Sequence, residues 1–414
     1  MLILFAALFL YQGRVQAGTL PPLSRDDSCS QSPNQRSVID ITWSCVATIF
    51  ACTWISVHPN IPDPEEKWWE AIIKRFQYML WTTFAPEIIL FWAIKQWHGA
   101  RRVAKEYRKY DDRWTVTHAH FLQMGGFMLY DGDEAIGILS YENFNTLLQE
   151  RRILFPTISK REIMDRSKID LLAKCVAIGQ LTWFMVQAFS RLAQHMPIAE
   201  LELVTIALAF LTGFLYFFWW EKPVNVETSV PVYLLMREHN PPSPSLPVDS
   251  GRSQMSTFTV YDEVARSFTG PKKIGTFYAI PLSSKAEIRT ILVSSVVGTI
   301  FGALHCLGID KDVFQLPNDV TDLINFDFWR PFSLAVALIP GLIAIVALLR
   351  IWNEEAKSKI SNRVAGILTV FAFLSLPFYA TARVGILASG FLSLGSLPPG
   401  AYNTIQWLSY FPHV

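Results

Sequence analysis

The chain has 414 residues, 51% of them hydrophobic and 17% charged, with a mean hydropathy of +0.26 and a formal net charge of +1. An ordinary soluble domain carries about a quarter charged residues, so this balance points away from one. A near-neutral chain also offers no global basic field, which excludes nucleic acid as a partner.

Residues 1–17 read as a signal-like segment. Leu2 to Tyr11 is an apolar run of ten residues, too short to span ~30 Å of hydrocarbon. Val15-Gln16-Ala17 before Gly18 fits a small-residue cleavage site. Residues 18–37, rich in Ser, Pro, Asp and Gln, read as a flexible connector. Ile41 to Val57 is the first predicted span (41–57), closed by His58-Pro59-Asn60-Ile61-Pro62. Trp68-Trp69 follows, as an interface pair. Phe76 to Ile94 (76–94) is the second span, interrupted only by Pro86-Glu87. An insert over 95–168 comes next. In its first part, Trp97, Val103 and Tyr107 are spaced for an amphipathic surface helix. Trp114 to Tyr130 is uncharged and admits two readings, a buried loop or a shallow re-entrant segment, because His118, His120 and Gly125-Gly126 disfavour a clean span. Helices are predicted near Asn143–Arg151 and Lys160–Lys168.

A helical hairpin follows, with spans at 170–193 and 200–220 and Trp219-Trp220 at its far interface. Glu221 to Glu287 reads as a polar linker (221–287) around Pro241-Pro242-Ser243-Pro244. Thr290 to Ile309 (290–309) contains Gly298-Thr299-Ile300-Phe301-Gly302, and G-x-x-x-G lets a neighbouring helix approach closely. Gly298 and Gly302 therefore mark a helix–helix contact. Spans at 331–349, kinked at Pro340, and 364–383 complete the set. Val384 to Val414 lacks Asp, Glu, Lys and Arg and reads as an interfacial or re-entrant tail. The predicted fold is all-α: a polytopic transmembrane bundle of about seven spans. It has an N-terminal membrane region over 38–220 and a C-terminal one over 288–414. No soluble part looks large enough for a core of its own.

Lys and Arg number 13 between Lys95 and Lys168 and seven in 221–287, but none in the turn His195–Ala199 or after Arg383. The positive-inside rule then puts 95–168 and 221–287 in the cytosol and the C-terminus outside. With full spans at 41–57 and 76–94 the start of the first span is also cytosolic, which conflicts with a cleaved signal. Either the signal is retained or Trp114–Tyr130 crosses as well.

An ionisable group in hydrocarbon needs a partner or a water-filled cavity. Glu87, near the middle of its predicted span, is the foremost catalytic candidate, as a buried acid. Arg383, at the end of the last span, and His118 are candidate partners. The alternatives are neutral burial for Glu87, an interface anchor for Arg383 and a structural role for His118 and His120. Lys174 is placed to snorkel to the interface. In the hairpin turn, Arg191 and His195 lie one turn apart and read as a structural ion pair with Glu200. Glu202, about 200° round the helix from Glu200, is left to face the interface or to take the pair instead.

The five Cys form no C-x-x-C, and no Cys/His spacing suits zinc. No metal or cofactor is indicated, since nucleotide-binding, H-E-x-x-H and G-x-S-x-G motifs are missing. The two halves show no repeat of the secondary-transporter kind.

Several motifs carry a resemblance. They are Trp43-Ser44-Cys45, Phe50-Ala51-Cys52-Thr53-Trp54, His58-Pro59-Asn60-Ile61-Pro62, Ala85-Pro86-Glu87, Gln96-Trp97 and Met124-Gly125-Gly126-Phe127. Ala199-Glu200-Leu201-Glu202-Leu203-Val204-Thr205, Trp219-Trp220-Glu221-Lys222-Pro223, Leu397-Pro398-Pro399-Gly400-Ala401 and Pro412-His413-Val414 extend it over nearly the whole chain. The chain resembles a large, mostly uncharacterised family of fungal polytopic membrane proteins. The resemblance implies a fungal source and an integral membrane location, and it transfers no activity.

Two functional expectations stand side by side. One is a multi-pass membrane protein that carries, senses or scaffolds for a lipophilic small molecule. It would sit in the endoplasmic reticulum or another secretory-pathway membrane, or in the plasma membrane. The other is an intramembrane acid–base enzyme of isomerase or cyclase type on a lipidic substrate, with Glu87 as the acid.

Overall fold

The computed structural model describes residues 35–63, 66–167, 171–235, 274–307, 320–356 and 359–405. The signal-like segment, most of the connector, the proline-rich middle of the linker, the Lys174 side chain and the last residues of the tail lie outside the described parts. The chain folds mostly into helices, as its patterning predicts.

Helix α1 (Val38–Phe50) opens on a capping box. The Ser37 hydroxyl accepts from the Asp40 N–H, and the Asp40 carboxylate accepts from the Ser37 N–H. It continues into a π-helical turn, Ala51–Ile55. The predicted span at 76–94 is not one helix. Helix α2 (Trp68–Phe84) stops at Ala85, and α3 (Pro86–Tyr107) starts at the next residue. Proline disfavours helical backbone in the residue before it, and Ala85 sits at φ −139°, ψ 54°. The chain then doubles back. Tyr78 of α2 and Trp92 of α3 meet the same ring, Phe277, at 5.8 and 6.0 Å between centroids. Arg75 of α2 donates to Asn225 at 2.7 Å, and Gln96 of α3 donates to the Tyr278 carbonyl at 2.8 Å. The two arms therefore enter and leave at one end of the bundle, with Ala85 at the tip.

Beyond the bundle α3 becomes the spine of a second core. The expected amphipathic surface helix is instead packed on one face, with Ala100, Val103, Ala104 and Tyr107 buried. Trp114–Tyr130 resolves as the buried reading: α4 (Val116–Gln123) and strand β1 (Phe127–Asp131). Strand β2 (Glu134–Ile138) pairs antiparallel with β1, across a turn with Gly132 at φ 57°. Helices α5 (Tyr141–Gln149) and α6 (Lys160–Asp165) start on Ser140 and Ser159 caps, close to their predicted places. Strand β3 (Val230–Tyr233), from the supposed linker, adds parallel to β1, giving the order β2-β1-β3. The expectation of no core outside the membrane region fails here. Trp114, Phe121, Phe127 and Phe144 form one, closed by Val226, Val232 and Ile280 from the two ends of the 221–287 segment.

The main core lies among α1, α3, α8 (Glu200–Phe218), α9 (Ser284–Cys306), α10 (Val320–Ala356) and α11 (Lys359–Leu392), with α7 (Leu171–Ala193) alongside. Among the described residues five helical runs are long and apolar enough to cross a membrane: Val38–Ile55, Glu200–Phe218, Ser284–Cys306, Pro331–Trp352 and Arg363–Ser396. Their outward faces are apolar, with Phe373 at 72% and Leu338 at 65% exposure. Water tolerates such contiguous surface poorly, and hydrocarbon does not penalise it. The G-x-x-x-G pair works inside the chain. Gly302 lets the Ala337 backbone of α10 come within the space a Cβ would occupy, and Gly298 makes room for Glu87 and Pro340. At the end remote from the sheet, Gln35 forms a β-bridge with Asn403 beside the α7–α8 turn.

Candidate functional site

Breaking a helix inside a bundle strips carbonyls at the end of the first half of their intrahelical partners. Arg383 of α11 covers them. Its Nη2 donates to the Thr83 carbonyl at 2.8 Å and its Nε to the Phe84 carbonyl at 3.3 Å, with the guanidinium 4.5 Å from the Phe301 ring. Glu87 sits in the first turn of α3, where the helix dipole favours an acid. Its carboxylate is buried beside the Tyr379 hydroxyl, and its Cγ lies against Gly298. Glu87 is thus at the start of a half-helix and not in the middle of a continuous span. The break gathers Glu87, Tyr379 and Arg383, but the arginine bonds carbonyls and makes no ion pair with Glu87 among the described residues. The histidine within electrostatic reach of Arg383 is His305, whose Nδ1 bonds the Phe301 carbonyl at 2.9 Å. His118 lies in the second core. Its Nδ1 accepts from the Thr115 N–H at 3.1 Å, and its Nε2 donates to the Ile158 carbonyl at 2.9 Å. It caps α4 and has no contact with Glu87, and burial holds its pKa below the usual histidine range.

A second site escaped the sequence reading. Lys222 is fully buried where the bundle meets the sheet-bearing subdomain. Its Nζ donates to the His58 carbonyl at 2.6 Å, Asn60 Oδ1 at 3.0 Å and Gln96 Oε1 at 3.0 Å, and lies 5.2 Å from the Trp219 ring. No carboxylate balances it among the described residues. Burial pushes its pKa down to about 7. Gln96 also accepts from the Trp219 indole at 2.9 Å, so Trp219 is a core residue, and only Trp220, 61% exposed, suits an interface. His120 is buried nearby, and its pKa is pushed down to about 3 by burial and then by the Lys222 charge. The only sequence signal was composition: the motifs holding His58, Asn60, Gln96 and Lys222 were noticed separately, and nothing along the chain says that they meet.

The opposite end carries a charged clamp that differs from the expected one. Glu202 pairs with Arg36 from the connector, at 2.5 and 3.0 Å, and also accepts from the Ala199 N–H at 2.9 Å. Arg191 donates to the carbonyls of Pro197, Ala401 and Asn403. His195 is exposed, at φ 52°, and turns the chain without an ion pair among the described residues. Glu200 lies beside Ser393, not beside Arg191. The expected Arg191–His195–Glu200 pair is replaced because Arg36 and the 397–405 segment, both remote in sequence, supply better partners. Among the described residues no three His, Cys, Asp or Glu groups could hold a metal.

These features define a helical protein with five runs of membrane-crossing length, a broken-helix hairpin and a sheet-bearing subdomain. The chain belongs to the family of unknown function DUF8562, which it matches over residues 6–246. That stretch includes Glu87 and all of the Lys222 cluster, and it stops before α9–α11, which supply Gly298, Tyr379 and Arg383. No curated protein and no solved structure matches the chain.

Proposed function

We propose that this is a multi-pass membrane protein of a fungal secretory-pathway membrane that handles a lipophilic small molecule as a carrier, sensor or scaffold. The observation that carries the reading is the helix break at Ala85–Pro86, with buried Glu87 on one side and Arg383 on the freed carbonyls of the other. Non-helical backbone at that depth is tolerated only where protein or a cavity satisfies it, and paired half-helices are a recurrent way to build a ligand site inside a bundle. In this reading α2–α3 is a re-entrant hairpin, and six segments cross: α1, α7, α8, α9, α10 and α11. The basic subdomain is cytosolic and Gln35 is on the far side. That arrangement removes the conflict with a processed signal, because one of the seven expected crossings does not cross.

The test compares lipophilic molecules that co-purify with the full-length protein and with Glu87→Gln. The wild type should retain a species that the variant loses by about tenfold, a loss of roughly 1.4 kcal/mol in affinity. Identical sets overturn the reading. The acid–base enzyme reading has one observation in its favour, the meeting of Glu87, Tyr379 and Arg383 at the break. It requires a deletion strain and a Glu87→Gln strain to accumulate the same unconverted metabolite.

A further inference from the structure

Helix α3 leaves the bundle with one face free of the second core. His98, Arg101, Lys105 and Arg108 follow one another at three, four and three residues along that face, and they line a groove of about 590 Å³ with Trp97 and Arg102. Arg101, Arg102, Lys105 and Arg108 are exposed. No acidic residue lines the groove, and none of these four forms an ion pair with a described residue. Its lower end is Trp97, whose ring packs on Phe218 in the last turn of α8, 5.4 Å between centroids, while the Arg101 guanidinium covers Trp97 at 4.6 Å. Phe217 and Trp220, at the same level, are 64% and 61% exposed. The groove therefore starts where an apolar helix ends and an aromatic rim begins, the level at which headgroups lie.

We propose that this groove binds the phosphate-bearing headgroup of an anionic lipid in the leaflet on the subdomain side. Charge complementarity carries the assignment. Four cations without an ion pair among the described residues, in a groove that no acid lines, attract an anion, and their start at the aromatic rim sets a lipid headgroup within reach of His98 and Arg101. The wall of Trp97 and the Arg side-chain stems can pack against the glycerol region. The proposal rests on the membrane placement above but not on any cargo, so loss of Glu87-dependent cargo leaves it standing.

The experiment titrates purified full-length protein, in an uncharged detergent, with short-chain phosphatidylserine, with phosphatidylcholine of the same chains, and with inorganic phosphate. Bound species are read by native mass spectrometry. Phosphatidylserine should bind the wild type about tenfold more tightly than phosphatidylcholine, and the preference should shrink as salt rises from about 0.1 to about 0.5 M. Arg101→Gln with Lys105→Gln should lose at least about fivefold of that preference. Arg101→Lys with Lys105→Arg should keep it. Lys109→Gln with Arg161→Gln, an equal loss of exposed charge off the groove, should keep it too. Equal binding of the two lipids, an equal loss in the off-groove control, or displacement by millimolar phosphate as effective as by lipid would each overturn the proposal.

Discussion

Lys222 shows how much one buried charge can organise. Its ammonium supplies three donors to three oxygens from two other parts of the chain, so it ties the 58–60 loop to α3 and to the end of α8. Truncation would strip the His58 carbonyl and Asn60 Oδ1 of this donor, while Gln96 Oε1 keeps the Trp219 indole, and each buried acceptor left unsatisfied costs about 1–3 kcal/mol. Burial of the charge also leaves a pH signature. Lys222 gives up its proton near pH 7 in the folded chain, against 10.5 for a free lysine. Between those values the unfolded chain binds more protons, so stability rises with pH from about 7 upwards. We expect the wild type to unfold at higher temperature at pH 9 than at pH 7, and Lys222→Met to be less stable throughout and to lose that slope. Thermal unfolding of detergent-purified protein at both pH values is the check. A slope retained in Lys222→Met would assign it to another group.

At the scale of elements, two kinds of local signal had different fates. Proline acts through its own ring and its neighbour's backbone, so Pro86 announced an interruption in the sequence itself. What it could not announce was direction, since a proline permits both a kinked span and a reversal. The reversal is decided by Phe277, which holds Tyr78 and Trp92 together from a segment remote in sequence. Glycine spacing behaves differently, because a small residue is useful only against whatever approaches it. Gly302 faces the Ala337 backbone, and a Cβ there would lie under 3.0 Å from it, whereas Gly366 has nothing within 4 Å. Gly302→Ala should therefore destabilise the chain by roughly 1–3 kcal/mol or more as α9 and α10 are forced apart. Gly366→Ala should be neutral or slightly stabilising, because alanine is the better helix former. Unfolding midpoints of the two variants measure the contrast, and equal midpoints would remove the packing role of Gly302.

At the scale of the whole molecule, the hairpin sets which ends share a side. If α2–α3 returns to its own end, Gln35 and Asn403 lie on one side of the membrane and Arg161 of the subdomain on the other. A cysteine at each of these three positions in turn, in a chain with Cys29, Cys175 and Cys306 changed to Ser and the buried Cys45 and Cys52 left in place, can be labelled with an impermeant maleimide on sealed microsomes, whose outer face is the cytosolic one. We expect Arg161→Cys to react directly, and Gln35→Cys and Asn403→Cys to react only after permeabilisation. If Gln35→Cys and Arg161→Cys react from the same side, the continuous span at 76–94 is restored.

The long apolar segments, the helices near 141–149 and 160–165 and an interruption at Pro86 were legible along the chain, because each follows from composition, periodicity or backbone restriction within a few residues; the helix ends were not, since α9, α10 and α11 start or stop several residues from their predicted bounds. The second core was not. Its strands are short, one is drawn from a segment that reads as a linker, and its parallel pairing joins β1 to β3 across about a hundred residues. The charged contacts were legible only as inventory. Glu202 found Arg36, Arg383 found two carbonyls and Lys222 found three oxygens, because a buried polar group bonds to whatever the fold brings within 3 Å. Sequence by itself determined which segments avoid water; only the tertiary structure decided which polar groups they carry inward to meet one another.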